Sequence, residues 1–315
     1  MSIASTSRRR ILRLASLACC LLSTSTAFAG QVQTLFVSSS DLSTILSGPS
    51  SDPLTSFAQS PGNSPTGLAV DSSGVVYAGF AGENVLRGFD SQGGTLFQTS
   101  TPGTPYGLAF DHSGHLLVVE QGATGGGFLG VYSTSGRSLG IASTLDGSAP
   151  YSVAVDSMGR IFYSDLNDGL VRQVGSQVSY QFQGESVIAL TTGSAGSLYL
   201  AVSGDHNGIL AFNPTTLSTS LFVDLGAFQA SGLAFNASGN LFVSGFDGNS
   251  GNYGIESFSA KGASLDVFGS SLLNPTFLAF SPALAIAEPA TALSALFGVV
   301  ITMAYFRRRK DHRSL

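Results

Sequence analysis

The chain has 315 residues, only 10% of them charged, with a formal net charge of −5, 39 glycines and no tryptophan. That composition is too apolar for a disordered protein, too acidic for a nucleic-acid-binding module, and lacks the Lys/Glu-rich bias of a coiled coil. The length allows one large domain or two ordinary ones.

The basic residues crowd the two ends. Arg8, Arg9, Arg10 and Arg13 lie near the start, and Arg307, Arg308, Arg309, Lys310 and Arg313 near the finish. Between residues 31 and 286, 17 Asp+Glu stand against five Lys+Arg, a net of −12. The chain reads as an acidic body with a cationic, apolar handle at each end.

At the N-terminus, Arg8–Arg10 form a positive region, residues 11–22 are mostly apolar, and Ala27-Phe28-Ala29 puts small residues at −3 and −1 before Gly30. This order predicts a secretory signal peptide over 1–29, with Ala27 and Ala29 framing the cleavage site and export through the Sec pathway. A retained first transmembrane helix and a lipoprotein site at Cys19 or Cys20 are the alternatives. The apolar run is short for a span. Both cysteines fall inside this segment, which leaves the body without a disulfide, a thiolate nucleophile or a Cys-based zinc site.

The body, 30–282, repeats one phrase. Pro65-Thr-Gly-Leu-Ala-Val-Asp71 returns as Pro105-Tyr-Gly-Leu-Ala-Phe-Asp111 and Pro150-Tyr-Ser-Val-Ala-Val-Asp156, with weaker copies ending near Leu190, Asn236 and Phe280. Aligned on Ala69, Ala109, Ala154, Ala189, Ala234 and Ala279, the spacings are 40, 45, 35, 45 and 45 residues, about the length of a four-stranded propeller blade. Asp71-Ser-Ser-Gly74, Asp111-His-Ser-Gly114, Asp156-Ser-Met-Gly159 and Asn236-Ala-Ser-Gly239 are turn signals. The Asp or Asn bonds its own downstream backbone, and Gly supplies the positive φ that closes a hairpin. Apolar runs after each turn supply three further strands, and no long 3.6-residue period predicts a helix in the body. The last copy offers only a first strand, whereas residues 34–57 read as the three strands that lack one. The expected fold is therefore an all-β, six-bladed β-propeller closed between N- and C-terminal strands, which leaves no open sheet edge at the seam.

The phrase resembles the NHL repeat and the related SMP-30/gluconolactonase-like propellers, most fully in the first three copies and in Tyr163-Ser-Asp165-Leu-Asn-Asp-Gly-Leu-Val171. Resemblance to a lactonase-like enzyme implies acidic or amide ligands for a divalent cation, calcium for example, at the propeller mouth. Glu120, Asp165, Asp205 and Asp247 are the candidates, with Asn207 and Asn249 nearby; solvated loop carboxylates are the other reading of the same residues. Asp71, Asp111 and Asp156 are read as turn caps, and His112, His115 and His206 as loop residues. No Gly-x-Ser-x-Gly or His-x-x-x-His is present, so no catalytic residue is assigned. Gly122–Gly127 lacks the Lys-Ser/Thr and helix of a phosphate loop.

The final segment, 283–315, carries Ala287-Glu288-Pro289-Ala290-Thr291, an apolar stretch over 292–306, then Arg307-Arg308-Arg309-Lys310. That order resembles the PEP-CTERM sorting signal of exosortase-processed bacterial proteins, with Ala287 standing where the pattern has Pro. The resemblance implies a transmembrane sorting helix, transient contact with an exosortase and cleavage near Glu288-Pro289. Delivery to the cell surface or extracellular matrix would follow. Physically, the basic cluster halts translocation and holds the body outside. An ordinary C-terminal anchor is the alternative. Two functions follow as expectations. One is a non-enzymatic binding or structural module at the cell surface or matrix, with extracellular polysaccharide a candidate partner. The other is a secreted, metal-dependent lactonase-like hydrolase or lyase.

Overall fold

Each copy of the phrase becomes an inner strand that ends in the hairpin its Asp or Asn dictates. Asp71 Oδ1 accepts hydrogen bonds from the backbone of Ser73 (2.8 Å) and Val75 (3.0 Å). Asp111 does the same for Ser113 and His115, Asp156 for Met158 and Arg160, and Asn236 for Ser238 and Asn240. Gly74 closes the first of these turns at φ 86°, a left-handed conformation that a side chain would strain.

The computed structural model describes residues 33–283, apart from 61, 148, 194, 195 and 271. The expected signal peptide with Ala27 and Ala29, the motif 287–291, the apolar segment 292–306 and the basic cluster 307–310 lie outside the described residues. Among the described residues there is no helix.

The strands form six four-stranded antiparallel sheets. Blade 1 joins β1 (Leu35–Ser39), β2 (Thr44–Gly48) and β3 (Thr55–Gln59) to the last strand of the chain, β24 (Pro275–Phe280). Blade 2 is β4 (Pro65–Val70), β5 (Val76–Phe80), β6 (Val85–Phe89) and β7 (Thr95–Ser100). Blade 3 is β8 (Thr104–Phe110), β9 (Leu116–Gln121), β10 (Gly127–Tyr132) and β11 (Ser138–Leu145). Blade 4 is β12 (Pro150–Val155), β13 (Ile161–Asp165), β14 (Leu170–Gln173) and β15 (Ser179–Tyr180). Blade 5 is β16 (Glu185–Thr192), β17 (Leu198–Gly204), β18 (Gly208–Asn213) and β19 (Ser218–Asp224). Blade 6 is β20 (Phe228–Phe235), β21 (Leu241–Asp247), β22 (Asn252–Phe258) and β23 (Ser264–Phe268). The inner strands β24, β4, β8, β12, β16 and β20 contact one another in that order and close the ring. This is the expected six-bladed propeller. Its seam is tied by β1 against β24, by Ser281 N donating to Thr34 O (2.9 Å), and by the Gln33 amide donating to Ser281 O (2.6 Å).

The core sits between blades. Successive side chains of a strand point to opposite faces, so Leu116 and Val118 of β9 pack toward blade 2 while Leu117 and Val119 pack toward blade 4. Each of the six interfaces has its own apolar cluster built this way. Near the axis the same interfaces become too tight for side chains. A Cβ on Gly67 would lie 1.8 Å from Tyr106 O of the next inner strand, and one on Gly232 would lie 2.0 Å from Thr276 O. Close approach of main chains explains the glycine in the repeated phrase.

Candidate functional site

The axis has two ends, and the sequence candidates all fall at one of them. Pairing of Pro105 with Glu120 and Pro150 with Asp165 places these acids where the inner strands begin. Asp247 pairs with Phe228 at the same end, and Asp205 directly follows β17 there. The aligned alanines Ala109, Ala154 and Ala234 put Asp247 two residues further along than Glu120 and Asp165.

Each acid serves its own blade. Glu120 is fully buried; Oε1 accepts from the Tyr132 hydroxyl (2.7 Å) and Oε2 from Gly103 N (3.0 Å). Burial pushes the Glu120 carboxyl above its ordinary range, against the opposing pull of those two hydrogen bonds. Asp165 is also fully buried, and caps its loop by accepting from Asn167 N, Asp168 N and Ala149 N. Asp247 accepts from Asn249 N and Ser250 N; its hydrogen bonds from Ser250 and Asn249 hold its carboxyl below the usual range. Asp205 is exposed. The four are not brought together: among the described residues no three His, Cys, Asp or Glu side chains form a metal-holding group. Three of the four spend both carboxylate oxygens on turn and strand hydrogen bonds, so the set does not fit one divalent-cation centre.

Aromatic rings close this end of the axis. Tyr151 of β12 lies 5.4 Å, ring centre to ring centre, from Tyr106 of β8 and 5.2 Å from Phe277 of β24. Blades 4 and 1 are opposite in the ring, so the Tyr151–Phe277 contact crosses the channel. Burial and the neighbouring Tyr106 push the Tyr151 phenol up to about 12.

The other end of the axis is open. A cavity of about 320 Å³ runs along the C-terminal halves of all six inner strands, with Phe277 in its wall. None of its lining residues is titratable: the only polar side chains are Ser152, Thr191 and Thr192. Its polarity comes from the backbone. Asp71 N donates to Val75 O in the hairpin (3.0 Å). In an antiparallel pair such groups alternate sides. Ala69 therefore turns its N–H and C=O toward β5, while Leu68 and Val70 turn theirs toward the axis. The equivalent hairpin bonds at Asp111, Asp156, Gly193 and Asn236, and the Ser281–Thr34 bond at the seam, set the same alternation in the other five blades. Residues such as Phe110, Val155, Thr192, Phe235 and Phe280 thus present main-chain donors and acceptors to the cavity. At Leu190 both groups are taken: Ser152 Oγ accepts from Leu190 N and donates to Leu190 O, each at 3.2 Å.

This geometry has relatives among solved structures. A protein of unknown function from Bacteroides caccae matches with a TM-score of 0.62 at 12% identity, over 80% of this chain and 99% of its own. A streptogramin B lyase matches with a TM-score of 0.55 at 16% identity, over 72% of this chain and 76% of that one. A catalytically inactive virginiamycin B lyase from Staphylococcus aureus, with quinupristin, gives 0.55 at 13% identity, over 79% and 90%. The chain shares their fold. At these identities the likeness extends no further, and the sequence matches no protein-family model and no curated protein.

Sequence reasoning missed the residues that shape the axis. The signal lay in the variable letters of the phrase. The letter after the proline is Thr66, Tyr106 and Tyr151 in successive copies, and the glycine letter becomes Ser152 in blade 4 and Phe277 in blade 1. Glu185 opens β16 two residues before Val187, which pairs with Val202 as Pro105 pairs with Glu120 and Pro150 with Asp165. Its Oε1 lies 3.2 Å from Nδ1 of the exposed His206, and its Oε2 is buried without a partner among the described residues. His115 Nδ1 lies 3.1 Å from Asp111 Oδ2, so it belongs to a turn.

Proposed function

We propose that the chain is an exported β-propeller acting as a binding module at the cell surface or in the extracellular matrix, with the axial cavity as its ligand site. The observation that carries this reading is the cavity itself. It is a bounded, uncharged, hydrogen-bonding recess at one end of the axis, whereas the acids that chemistry would draw on are committed to turns and strand pairs. A recess of this kind is the default place for a small ligand. The acidic body between two cationic, apolar handles supports delivery by a signal peptide and an exosortase-type sorting tail. Extracellular polysaccharide is the proposed partner, and the membrane is a station before processing.

The test is the mass and location of the mature protein in an exosortase-bearing host. A product that begins after Ala29, ends near Glu288-Pro289 and is retained on matrix polysaccharide is expected. A chain that keeps residues 292–315 in every fraction, and is not retained on polysaccharide, overturns the proposal.

A second reading is a metal-dependent hydrolase or lyase of lactonase-like class. Glu120 and Asp165, at one register in adjacent blades, are what favours it, alongside the lyases among the solved neighbours. Stoichiometric tight binding of Ca²⁺ or Zn²⁺, with lactone hydrolysis lost in Asp165→Asn, would establish it over the first.

A further inference from the structure

The inner-strand edges specify what kind of molecule the cavity takes. We infer that it binds an uncharged, hydroxyl-rich ligand, one neutral hexose or the terminal hexose of a glycan, held mainly by main-chain hydrogen bonds. The inference rests on the reading of the cavity as the ligand site.

Backbone N–H and C=O groups need partners, and no strand lies beyond the inner strands to supply them. The structure holds one worked solution in its own side chains. At Leu190 a single hydroxyl, Ser152 Oγ, serves as acceptor for the N–H and donor to the C=O of the same residue. The edges of Leu68, Val70, Phe110, Val155 and Phe235 present the same pair of groups without a serine at the corresponding place. A ligand that fits them all must offer several hydroxyls, each able to donate and accept, arranged around a compact ring. That is the chemistry of a sugar.

Charge is excluded from the other side. No titratable side chain lines the cavity. A carboxylate or ammonium placed there would lose its hydration without gaining a counter-charge. Size agrees: about 320 Å³ holds about ten waters at ~30 Å³ each, close to the heavy-atom content of one hexose. Tyr151 and Phe277 limit the depth, so the ligand enters from the end where Val70, Phe110 and Phe280 lie.

The experiment is calorimetric titration of the full chain in detergent with D-glucose, D-galactose and N-acetylglucosamine. D-glucuronate and D-glucosamine serve as charged counterparts. Neutral sugars are expected to bind, with the charged ones weaker by about tenfold or more, the cost of burying an unpaired charge. Thr192→Trp, at the cavity rim, is expected to abolish binding while the thermal midpoint shows that the fold persists. Should that variant not fold, a crystal of the parent soaked in N-acetylglucosamine locates the sugar directly. Failure of every neutral sugar to bind, equal binding of glucuronate, or density away from the inner-strand edges each overturns the inference. Retention of the mature protein on polysaccharide without hexose in the cavity would sink the inference and leave the binding-module reading standing. Hexose in the cavity of a chain never delivered outside the membrane would do the reverse.

Discussion

The two ends of the propeller axis differ in what builds them. Where the inner strands begin, side chains dominate: Tyr151 and Phe277 meet across the channel, and the carboxylates of Glu120 and Asp165 are consumed by neighbouring donors. Where the strands end, side chains turn away between blades and main chain faces the cavity. An end crowded with acidic residues is thus chemically quiet, and a cavity lined by no titratable side chain carries the free hydrogen-bonding capacity. Conspicuous residue types are a poor guide to a site when the backbone supplies the recognition.

Substitutions can break this contrast, and the most damaging is expected at the closed end. Gly67→Val would force a side chain onto Tyr106 O, and overpacking against immovable main chain is expected to cost about 3 kcal/mol or more. Urea denaturation reads this directly, and a loss below 1 kcal/mol would refute the close approach of β4 and β8. Tyr151→Ala should come next, at about 3 kcal/mol for an aromatic truncated in a packed site. Its crystal structure should show the axis open from end to end. Tyr151→Phe is the control; its hydroxyl makes no hydrogen bond among the described residues, and the change should stay within about 0.5 kcal/mol.

At the open end the matching test is Asp156→Ala. The Asp156 carboxylate is buried, caps two backbone N–H groups and accepts from Arg160 Nε at 2.6 Å. Leaving those donors unpaired should cost about 2 kcal/mol, measured by the same denaturation.

Glu120 sharpens the contrast through pH. Its carboxyl is raised above the ordinary value of 4.5, chiefly by burial. The folded state therefore prefers the neutral acid. The associated stability is complete below that ordinary value and is lost as pH rises through the raised one. Glu120→Gln keeps an uncharged group there at all pH values. Its thermal midpoint should gain on the parent as pH climbs from 4 to 8, and a difference that stays flat or reverses would contradict the burial argument. The smallest effect is expected at Asp205, which is exposed. Asp205→Asn should change neither the midpoint nor sugar binding measurably.

Much of the blade structure is legible along the chain. The Asp-x-x-Gly turns act over four residues, so Asp71, Asp111 and Asp156 announce their hairpins locally. The seam could be read as well, because a lone first strand at 275–280 and three unaccompanied strands before residue 60 have only each other. The site was much less legible. Glu120 looks like a mouth ligand until Tyr132 and Gly103, brought in from a neighbouring strand and the preceding loop, are seen to occupy it. Tyr151 looks like an ordinary strand residue until Phe277 faces it across the axis. Glu185 opens β16 and His206 follows β17, and only the structure pairs them.

The repeat alone determined the number of blades and the order of strands within them, since each follows from short-range backbone chemistry copied six times. Tertiary structure decided which end of the axis is closed and which is open. Those properties arise where six strands far apart in sequence converge. What a group meets there, a ring from the opposite blade or an empty strand edge, is set by the closure of the ring and not by its neighbours in the chain.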